Sequence, residues 1–334
     1  MAASNKFYLW SLGLFLFLVV LFFLSISTGI LDISFFKVLY ILLGQGTEGE
    51  RLTIFDFRLV RALLAIFIGM GLALAGTVFQ TLSHNELASP SLLGINAGAG
   101  LAIILSIYLL PLTWSLPIWG LPIVAIIGAL MTASGIFYLA YGRGQALSAR
   151  RLILTGISVA AGIHAIELLL IVRLDPSQFH QVNTWIIGTI SGNTWIHVWL
   201  LGPIVFLGGL FLYANYMDLN ILSLADETAV GLGLSLLSKR VIYLITATVI
   251  AASCVAIGGS IAFVGLLCPH IARRMVGPNH KYVLLLSALL GGSLVLGADF
   301  IARTVIVPDE LLVGLIVSLI GAPYFLYVLV ESRG

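Results

Sequence analysis

Residues 58–100 read RLVRALLAIFIGMGLALAGTVFQTLSHNELASPSLLGINAGAG, and this stretch decides the fold. An apolar run carries small residues at three- and four-residue steps, a short polar loop follows, and a second glycine-rich apolar run begins. The small residues include Gly69, Ala73, Gly76, Gly94 and Gly98. In a membrane, such spacing lets neighbouring helix backbones approach closely. We therefore predict two packed membrane helices, with Gly76, Gly94 and Gly98 at helix contacts.

The composition extends this interpretation to the whole chain. Of its 334 residues, 60% are hydrophobic and only 9% are charged, and the mean hydropathy is +1.13. Apolar runs of about 20 residues, the length a helix needs to cross a bilayer, recur from end to end. These runs are continuous and lack the alternation of a membrane barrel. The sequence predicts an all-α polytopic membrane protein with a single transmembrane domain over residues 1–334.

The apolar runs predict about ten transmembrane helices, with both termini in the cytoplasm. The first run exceeds the usual length of a signal-peptide core, so an uncleaved span is favoured. The run at 261–275 is expected to be short or broken near Pro269, because glycines and this proline interrupt it. The predicted spans are 7–28, 58–82, 92–110, 116–141, 152–172, 195–214, 241–258, 261–275, 282–301 and 311–330.

Basic residues favour this orientation. Cytoplasmic loops carry an excess of lysine and arginine in membrane proteins. Ten of the 16 basic residues fall on the predicted inner side, among them Lys6, Arg143, Arg240, Arg274 and Arg333. The other six fall on the outer side: Lys37, Arg51, Arg58, Arg61, Arg173 and Arg303.

Several motifs together resemble one known family. The first stretch supplies Arg58, Arg61, Gly76, Gln80, Asn85, Leu87, Ala88, Pro90, Leu93 and Gly94. The C-terminal part supplies Phe263, Gly265, Leu266, Pro269, His270 and Arg273, then Gly277 with Pro278, Asp299 with Arg303, and Gly321 to Pro323. In this order the motifs resemble the FecCD-type permeases of bacterial ABC importers for iron-siderophores, haem and cobalamin. Glu86 stands where that family usually has proline, so this loop is expected to be less rigid.

The resemblance implies a function and a set of partners. It implies a permease subunit that forms the pathway for an iron chelate, with haem and cobalamin left open. The implied partners are a second permease, identical or similar, two ATP-binding subunits and an extracytoplasmic substrate-binding protein. The implied location is the bacterial inner (cytoplasmic) membrane, in contact with lipid. No nucleic-acid partner is expected, because the chain has no basic face.

The resemblance also assigns a role to the longest inner polar segment, residues 215–239. Acidic residues open a short amphipathic piece and glycines close it, which by itself predicts a surface helix. In the family, a matching loop docks on the ATPase subunit. The residues that match this coupling loop are Asp226, Glu227, Ala229, Leu232 and Gly233.

Three outer arginines are candidates for docking the binding protein. Arg58 and Arg61 lie at the start of a span, where the helix dipole disfavours cations, so something should compensate their charge. Neutralisation by Asp56 or by lipid phosphate is one explanation. Arg303 lies four residues after Asp299, which allows an intrahelical pair. The family resemblance instead implies that Arg58, Arg61 and Arg303 meet carboxylates of the binding protein.

Polar residues within spans are the remaining candidates. His164 and Glu167 lie three residues apart on one helical face, and Asn96 lies on the third predicted span. A hydrogen-bonded patch, a pathway wall or an ion-coupling site would each explain them. The ion-coupling explanation would make the protein a secondary transporter.

No catalytic, metal or cofactor site is predicted. None of the four lysines follows a glycine, so the G-x-x-x-x-G-K-[ST] motif is absent, and ATP hydrolysis would require a partner subunit. His270, Asp299 and His280 are conceivable as an intramembrane catalytic set, but they match no hydrolase or zinc motif. Cys254 and Cys268 both lie in apolar segments and indicate neither a disulfide nor a metal site.

Overall fold

The computed structural model describes residues 2–29, 33–90, 94–109, 119–140, 149–306 and 309–331. Regular structure in these residues is helical, which confirms the all-α prediction. The helices are α1 Ala2–Ser27, α2 Phe35–Leu42, α3 Glu48–Leu52, a π-helical segment Thr53–Leu59, α4 Val60–Ser83, α5 Ile95–Leu109, α6 Gly120–Ala140, α7 Ala149–Ile171, α8 Pro176–Ile187, α9 Trp195–Ala214, α10 Tyr216–Leu222, α11 Asp226–Gly231, α12 Leu236–Gly258, α13 Val264–Val276, α14 His280–Thr304 and α15 Val313–Glu331.

The predicted spans correspond to helices α1, α4, α5, α6, α7, α9, α12, α13, α14 and α15. Seven helical segments in the described residues are long and apolar enough to cross a membrane, and α5 and α15 are shorter apolar helices. Helix α13 has 13 residues, about 20 Å, which is less than the roughly 30 Å hydrocarbon thickness. The predicted boundaries Leu92, Leu110, Leu116 and Tyr141 lie outside the described residues.

The break before α13 lies earlier than predicted. Helix α13 begins at Val264 and continues through Pro269, so the proline does not break it. Pro269 has no N–H for the carbonyl of Gly265. The side-chain amide of Gln80 lies 3.5 Å from that carbonyl and donates to the carbonyl of Leu266 at 3.1 Å. The true break is the segment 259–263, which has left-handed backbone at Gly259 and Phe263.

Helix α4 lies at the centre of the fold. In the most apolar stretch of each long helix, the share of buried residues is 78% for α4, 72% for α12 and 67% for α14. The corresponding share is only 22–28% for α1, α6, α7 and α9. A helix that is apolar all round can occupy such a position. The three central helices form the core, and the others surround them.

Glycines explain how closely α4 packs. Gly69 faces the backbone of Gly291 on α14, and Gly76 faces the backbone of Gly265 on α13. A Cβ atom at either α4 position would overlap the carbonyl oxygen of its partner. Gly98 on α5 lies in the same way against Gly128 of α6. Close backbone contact of this kind is how membrane helices gain dispersion energy without a hydrophobic driving force.

Contacts between helix ends define two sides of the molecule. The ring of Phe7 on α1 packs at a tilt against Tyr282 at the start of α14, while Arg303 near the end of α14 donates to Ser25 near the end of α1. Helices α1 and α14 are therefore parallel. Helix α4 is antiparallel to both, because Arg61 meets Asp299. We call the side with Arg61 and Arg303 the outer end and the opposite side the inner end; this assignment follows the predicted orientation.

We expect Gly76→Ala to destabilise the protein by about 1–3 kcal/mol, because overpacking must displace backbone rather than a flexible side chain. Thermal unfolding in detergent measures this. Gly13→Ala on α1 is the control, since nothing lies within 4 Å of the added methyl group there. Equal melting temperatures for the two variants would contradict the close-packing account.

Candidate functional site

The outer arginines form a connected cluster around one buried carboxylate. The Nε of Arg61 lies 2.7 Å from Oδ1 of Asp299, and the Nε of Arg303 lies 3.2 Å from Oδ2. The Asp299 side chain is fully buried. The intrahelical pair of Arg303 with Asp299 is therefore confirmed, and Arg61 adds a second cation from α4. Two guanidinium groups satisfy both carboxylate oxygens, as a buried charge requires.

Arg58 and Arg303 also stabilise the end of α1. Nη1 of Arg58 donates to the carbonyls of Ile26 and Ser27 at 2.8 and 3.0 Å. Nη2 of Arg303 donates to the carbonyl of Ser25 at 3.0 Å. The last carbonyls of a helix have no intrahelical partner, and cations are favourable there. The charges of these arginines are thus engaged within the chain. The sequence did not predict these contacts with the end of α1.

The cluster borders a cavity of about 710 Å³ at the outer end. Its wall includes Arg58, Arg61, Arg303, Asp56 and Glu310. Nη1 of Arg61 lies 2.7 Å from Oε2 of Glu310, whose side chain is 43% exposed. The structure therefore brings the three predicted docking arginines together at one cavity and adds a carboxylate at its exposed edge.

A short helix that the sequence patterns did not predict enters the molecule from the outer end. The side chain of Gln178 at the start of α8 donates to the carbonyl of Ile107 near the end of α5. Trp185 near the end of α8 lies against Gly100, in the middle of α5. Helix α8 therefore runs back along α5 and stops partway. Its 12 residues span about 18 Å, too little to cross a membrane.

Several helix ends meet where α8 stops. The indole N–H of Trp185 lies 3.5 Å from the carbonyl of Ala256 on α12, and the N–H of Gly314 on α15 donates to the carbonyl of Gly188 at 3.2 Å. The amide of Asn96 at the start of α5 donates to Ser260 in the break before α13, at 2.8 Å. Irregular backbone at membrane depth is tolerated where protein or water satisfies its polar groups.

An exposed polar face borders this meeting point. On α8, His180, Gln181 and Asn183 are exposed. On α7, Nδ1 of His164 lies 2.6 Å from Oε2 of Glu167; the histidine side chain is 59% exposed and the glutamate 9%. Polar groups exposed at this depth require water or another protein surface. This face is the best candidate for a pathway wall. Of the three predicted pathway residues, His164 lies on this face, whereas its partner Glu167 is buried against α5.

At the inner end, the predicted coupling loop is a fixed pair of short helices. Asp226 binds Arg240 through both carboxylate oxygens, at 3.1 and 2.5 Å. Ala229 is buried, while Glu227, Val230 and Leu232 are exposed. Gly233 has φ of +84°, and the next residue, Leu234, donates its N–H back to the carbonyl of Ala229. The loop thus presents an acidic and apolar surface on a rigid base.

Further contacts hold the base of this loop. Asp218 on α10 accepts hydrogen bonds from Lys239 and from the hydroxyl of Tyr243, each at 2.6 Å. Partial burial raises the pKa of Asp218, but these two hydrogen bonds lower it more, so the net pKa lies below its ordinary value. The carboxylate is therefore charged at neutral pH and anchors α10 to α12.

A buried histidine connects α10 to the central helices. Nδ1 of His280 lies 2.9 Å from Oδ1 of Asn220, and Nε2 lies 2.7 Å from Oγ1 of Thr81 at the inner end of α4. The backbone N–H of His280 also donates to Oδ1 of Asn220, at 2.8 Å. His280 follows Gly277 and Pro278 in the family-like motif and was otherwise considered only as a conceivable catalytic group, so its linking role was not predicted.

The sequence of the chain places this geometry within a known family. Residues 17–331 match the family described as the FecCD transport family. The chain belongs to this family. It is 43% identical over 323 residues to the iron(3+)-hydroxamate import system permease protein FhuG of Bacillus subtilis, covering 96% of each chain. It is 40% identical over 292 residues to the Fe(3+) dicitrate transport system permease protein FecC of Escherichia coli, covering 84% and 83%.

A solved structure agrees with the fold. A metal-chelate type ABC transporter in an inward-facing conformation superposes with a TM-score of 0.84 at 28% identity, covering 96% of this chain and 98% of the other. The predicted resemblance to FecCD-type permeases is therefore confirmed.

Glu86, the departure from the FecCD motif, makes a specific contact. Its Oε2 lies 3.1 Å from Nδ1 of His270 on α13, although the glutamate side chain is 62% exposed. The loop after α4 is thus joined to α13 by a side chain rather than stiffened by proline. Gly94, at the far end of this loop, has φ of +66°, so its role is to permit the turn into α5 as well as to pack.

The buried carboxylate of the outer cluster provides a test of its structural role. We expect Asp299→Asn to destabilise the FecCD-family chain by about 3–5 kcal/mol, because it leaves the buried Arg303 without its carboxylate partner and Arg61 with only the half-exposed Glu310. Asp226→Asn, which also removes one arginine-bound carboxylate but at a half-exposed position, should cause a smaller loss. Thermal melts in detergent compare the two. A smaller shift for Asp299→Asn than for Asp226→Asn would contradict this account.

Proposed function

We propose that this chain is the membrane-embedded permease subunit of an ABC importer for a ferric chelate. The observation that carries the proposal is the match to the FecCD transport family over residues 17–331, together with relatives named for import of ferric hydroxamate and ferric citrate. The chain carries no P-loop motif, so ATP would be hydrolysed by two partner subunits. A second permease, identical or similar, completes the proposed assembly in the cytoplasmic membrane.

The proposed pathway runs along the exposed polar face of α7 and α8. His164, Asn183 and their neighbours on this face would line a water-filled space between two permease chains. Asn96, by contrast, is engaged with Ser260 at the meeting point of the helix ends. It would hold the inner limit of the pathway rather than contact the chelate directly.

A growth-rescue screen tests the substrate. An iron-limited bacterial strain that lacks its own chelate permeases would receive this chain with its partner subunits. We expect ferric hydroxamate or ferric citrate to restore growth, while haem and cobalamin do not serve as substrates. Rescue by haem alone, or cobalamin-dependent growth of a cobalamin-requiring strain that carries the same transporter, would overturn the assignment to ferric chelates.

We propose that the α11 loop transmits ATP-driven movement from the ATPase subunit. The exposed Glu227, Val230 and Leu232 form the contact surface, and Asp226 fixes this surface to α12. Through Asn220 and His280, the adjoining α10 is bonded to the inner ends of α14 and α4. A movement imposed on the loop would therefore reach the central helices through short, buried hydrogen bonds.

Two neighbouring glycines give a matched test of the coupling loop. Both Gly231 and Gly233 have open space where an added methyl group would lie, but only Gly233 has a left-handed backbone. We expect Gly233→Ala to distort the loop, since this conformation costs an L-residue about 1–2 kcal/mol, and to reduce uptake per ATP hydrolysed. Gly231→Ala should remain coupled. Equal coupling ratios in reconstituted vesicles would contradict the assignment.

We further propose that the outer arginine cluster docks the substrate-binding protein. The cavity opens at the outer end, and guanidinium groups bind carboxylates in a fixed, bidentate geometry. Because Arg58 and Arg303 are occupied by the end of α1, Arg61 is the member best placed for exchange. Its partner Glu310 is exposed, whereas the other carboxylate, Asp299, is not.

Neutralising one arginine at a time tests docking more cleanly than charge reversal, because these side chains are largely buried. We expect Arg61→Gln to weaken binding-protein affinity about fivefold, the effect of losing an ion pair worth about 1 kcal/mol, and high salt to weaken wild-type docking. Lys37→Gln removes an outer cation that is paired with Glu50, and it should change affinity less than twofold. Melting temperatures control for folding, and equal affinity of both variants would contradict docking at Arg61.

The alternative of an ion-coupled transporter would depend on one observation, the His164–Glu167 pair. A protonatable pair at membrane depth could carry protons. The two functions differ in their energy source. Uptake that stops on ATP depletion while the proton gradient persists supports the ABC importer, whereas uptake that stops only when the gradient collapses supports the alternative.

A further inference from the structure

Glu310 is the exposed member of an otherwise buried cluster. The side chains of Asp299, Arg303 and Arg61 are 0%, 9% and 14% exposed, whereas Glu310 is 43% exposed. Its bond to Nη1 of Arg61 lies at the edge of the outer cavity. Exposed ion pairs are weak and screened by salt, while buried pairs are hard to exchange. Glu310 is thus the carboxylate in this cluster that another carboxylate can displace.

Like charge makes Glu310 and a second carboxylate mutually exclusive at this edge. Arg58, Arg61 and Arg303 place three guanidinium groups in the cavity wall, and Asp56 and Glu310 supply two carboxylates there. Nη1 of Arg61 already holds Glu310 at 2.7 Å. A second carboxylate approaching the same edge would be repelled by Glu310 and attracted by the arginines. The two carboxylates would therefore compete for one site.

The position of Glu310 in the chain gives this competition a consequence. Glu310 precedes Leu311, whose N–H donates to the carbonyl of Ala302 on α14. A few residues later, Gly314 of α15 donates to the carbonyl of Gly188 at the end of α8. Gly314 is so close to α8 that a Cβ atom there would overlap the carbonyl oxygen of Ile187. The segment 309–312 thus joins the outer cluster directly to the contact between α15 and α8.

We propose that Glu310 is a built-in competitor for an acidic side chain of the substrate-binding protein at Arg61. Docking replaces Glu310 with the partner's carboxylate and removes one contact that holds segment 309–312, while the bond from Leu311 to Ala302 remains. The start of α15 then loses one of its restraints, and its contact with α8 on the proposed pathway loosens. This inference rests on the proposed docking function and adds how the docked state is communicated to the pathway.

Affinity measurements with a matched control test the competition. Glu310→Gln removes the competing charge, and Asp309→Asn makes the same charge change at the exposed neighbouring residue. The assembled transporter in lipid nanodiscs is titrated with its binding protein. We expect Glu310→Gln to bind about fivefold more tightly, as for loss of one exposed ion pair, and Asp309→Asn to change affinity less than twofold. Equal or weaker binding by Glu310→Gln, with an unchanged melting temperature, would overturn the proposal.

A double variant separates this inference from the docking function. In the Arg61→Gln background, Glu310→Gln should have no further effect on affinity, because the two residues act on one site. If Arg61→Gln alone leaves affinity unchanged, docking at Arg61 and the competition both fail. If Arg61→Gln weakens binding while Glu310→Gln behaves like Asp309→Asn, docking stands and only the competition fails.

Label distances test the release of α15. Spin labels on Phe179 of α8 and Leu319 of α15 occupy exposed positions, and the native Cys254 and Cys268 are buried. Binding protein should broaden the distribution of label distances in the wild type. We expect Glu310→Gln to show the same broadening in the absence of binding protein. An unchanged distribution in Glu310→Gln would overturn the link from Glu310 to α8.

Discussion

The close backbone contact of α4 with α13 and α14 is the constraint on which the rest of the structure depends. In lipid, apolar side chains gain little by leaving one apolar environment for another, so helix association depends on packing and hydrogen bonds. Gly69 and Gly76 allow carbonyl groups of α14 and α13 to lie directly against α4. A methyl group at either position would push the central helices apart. The surrounding helices could then no longer make their contacts with the core.

Close packing at the centre also permits the chain to break helices inside the membrane layer. Helices α8, α12, α13 and α15 begin or end near one another, which would leave backbone groups without partners in lipid. Here Trp185, Asn193 and the N–H of Gly314 approach backbone carbonyls at these ends, and Gln80 approaches the carbonyl freed by Pro269. Each break is therefore compensated by a neighbouring element that the central helices hold in place.

The sequence predicted the features that depend on local patterns. Apolar runs located the long helices, and small-residue spacing identified Gly76 and Gly98, which the structure places at backbone contacts. Helix α8 was missed because it is too short and polar to resemble a span. The Asp175-Pro176 start and the terminal Gly188 were its available signals. The partner of Arg61 could not be predicted either, since Asp299 lies 238 residues away and nothing local specifies that contact.

The two ends of α4 explain which parts of the molecule can move. At the outer end, Arg61 is bonded to Asp299 near the end of α14, and at the inner end, Thr81 is bonded to His280 at its start. Sliding α4 along α14 would break a buried ion pair and a buried hydrogen bond together with the glycine contact between them. Helices α7 and α8 have largely exposed faces and fewer such bonds, so their displacement costs less free energy. In the proposed importer, the α4–α14 pair would therefore stay rigid, and displacement would fall on α7, α8 and the start of α15.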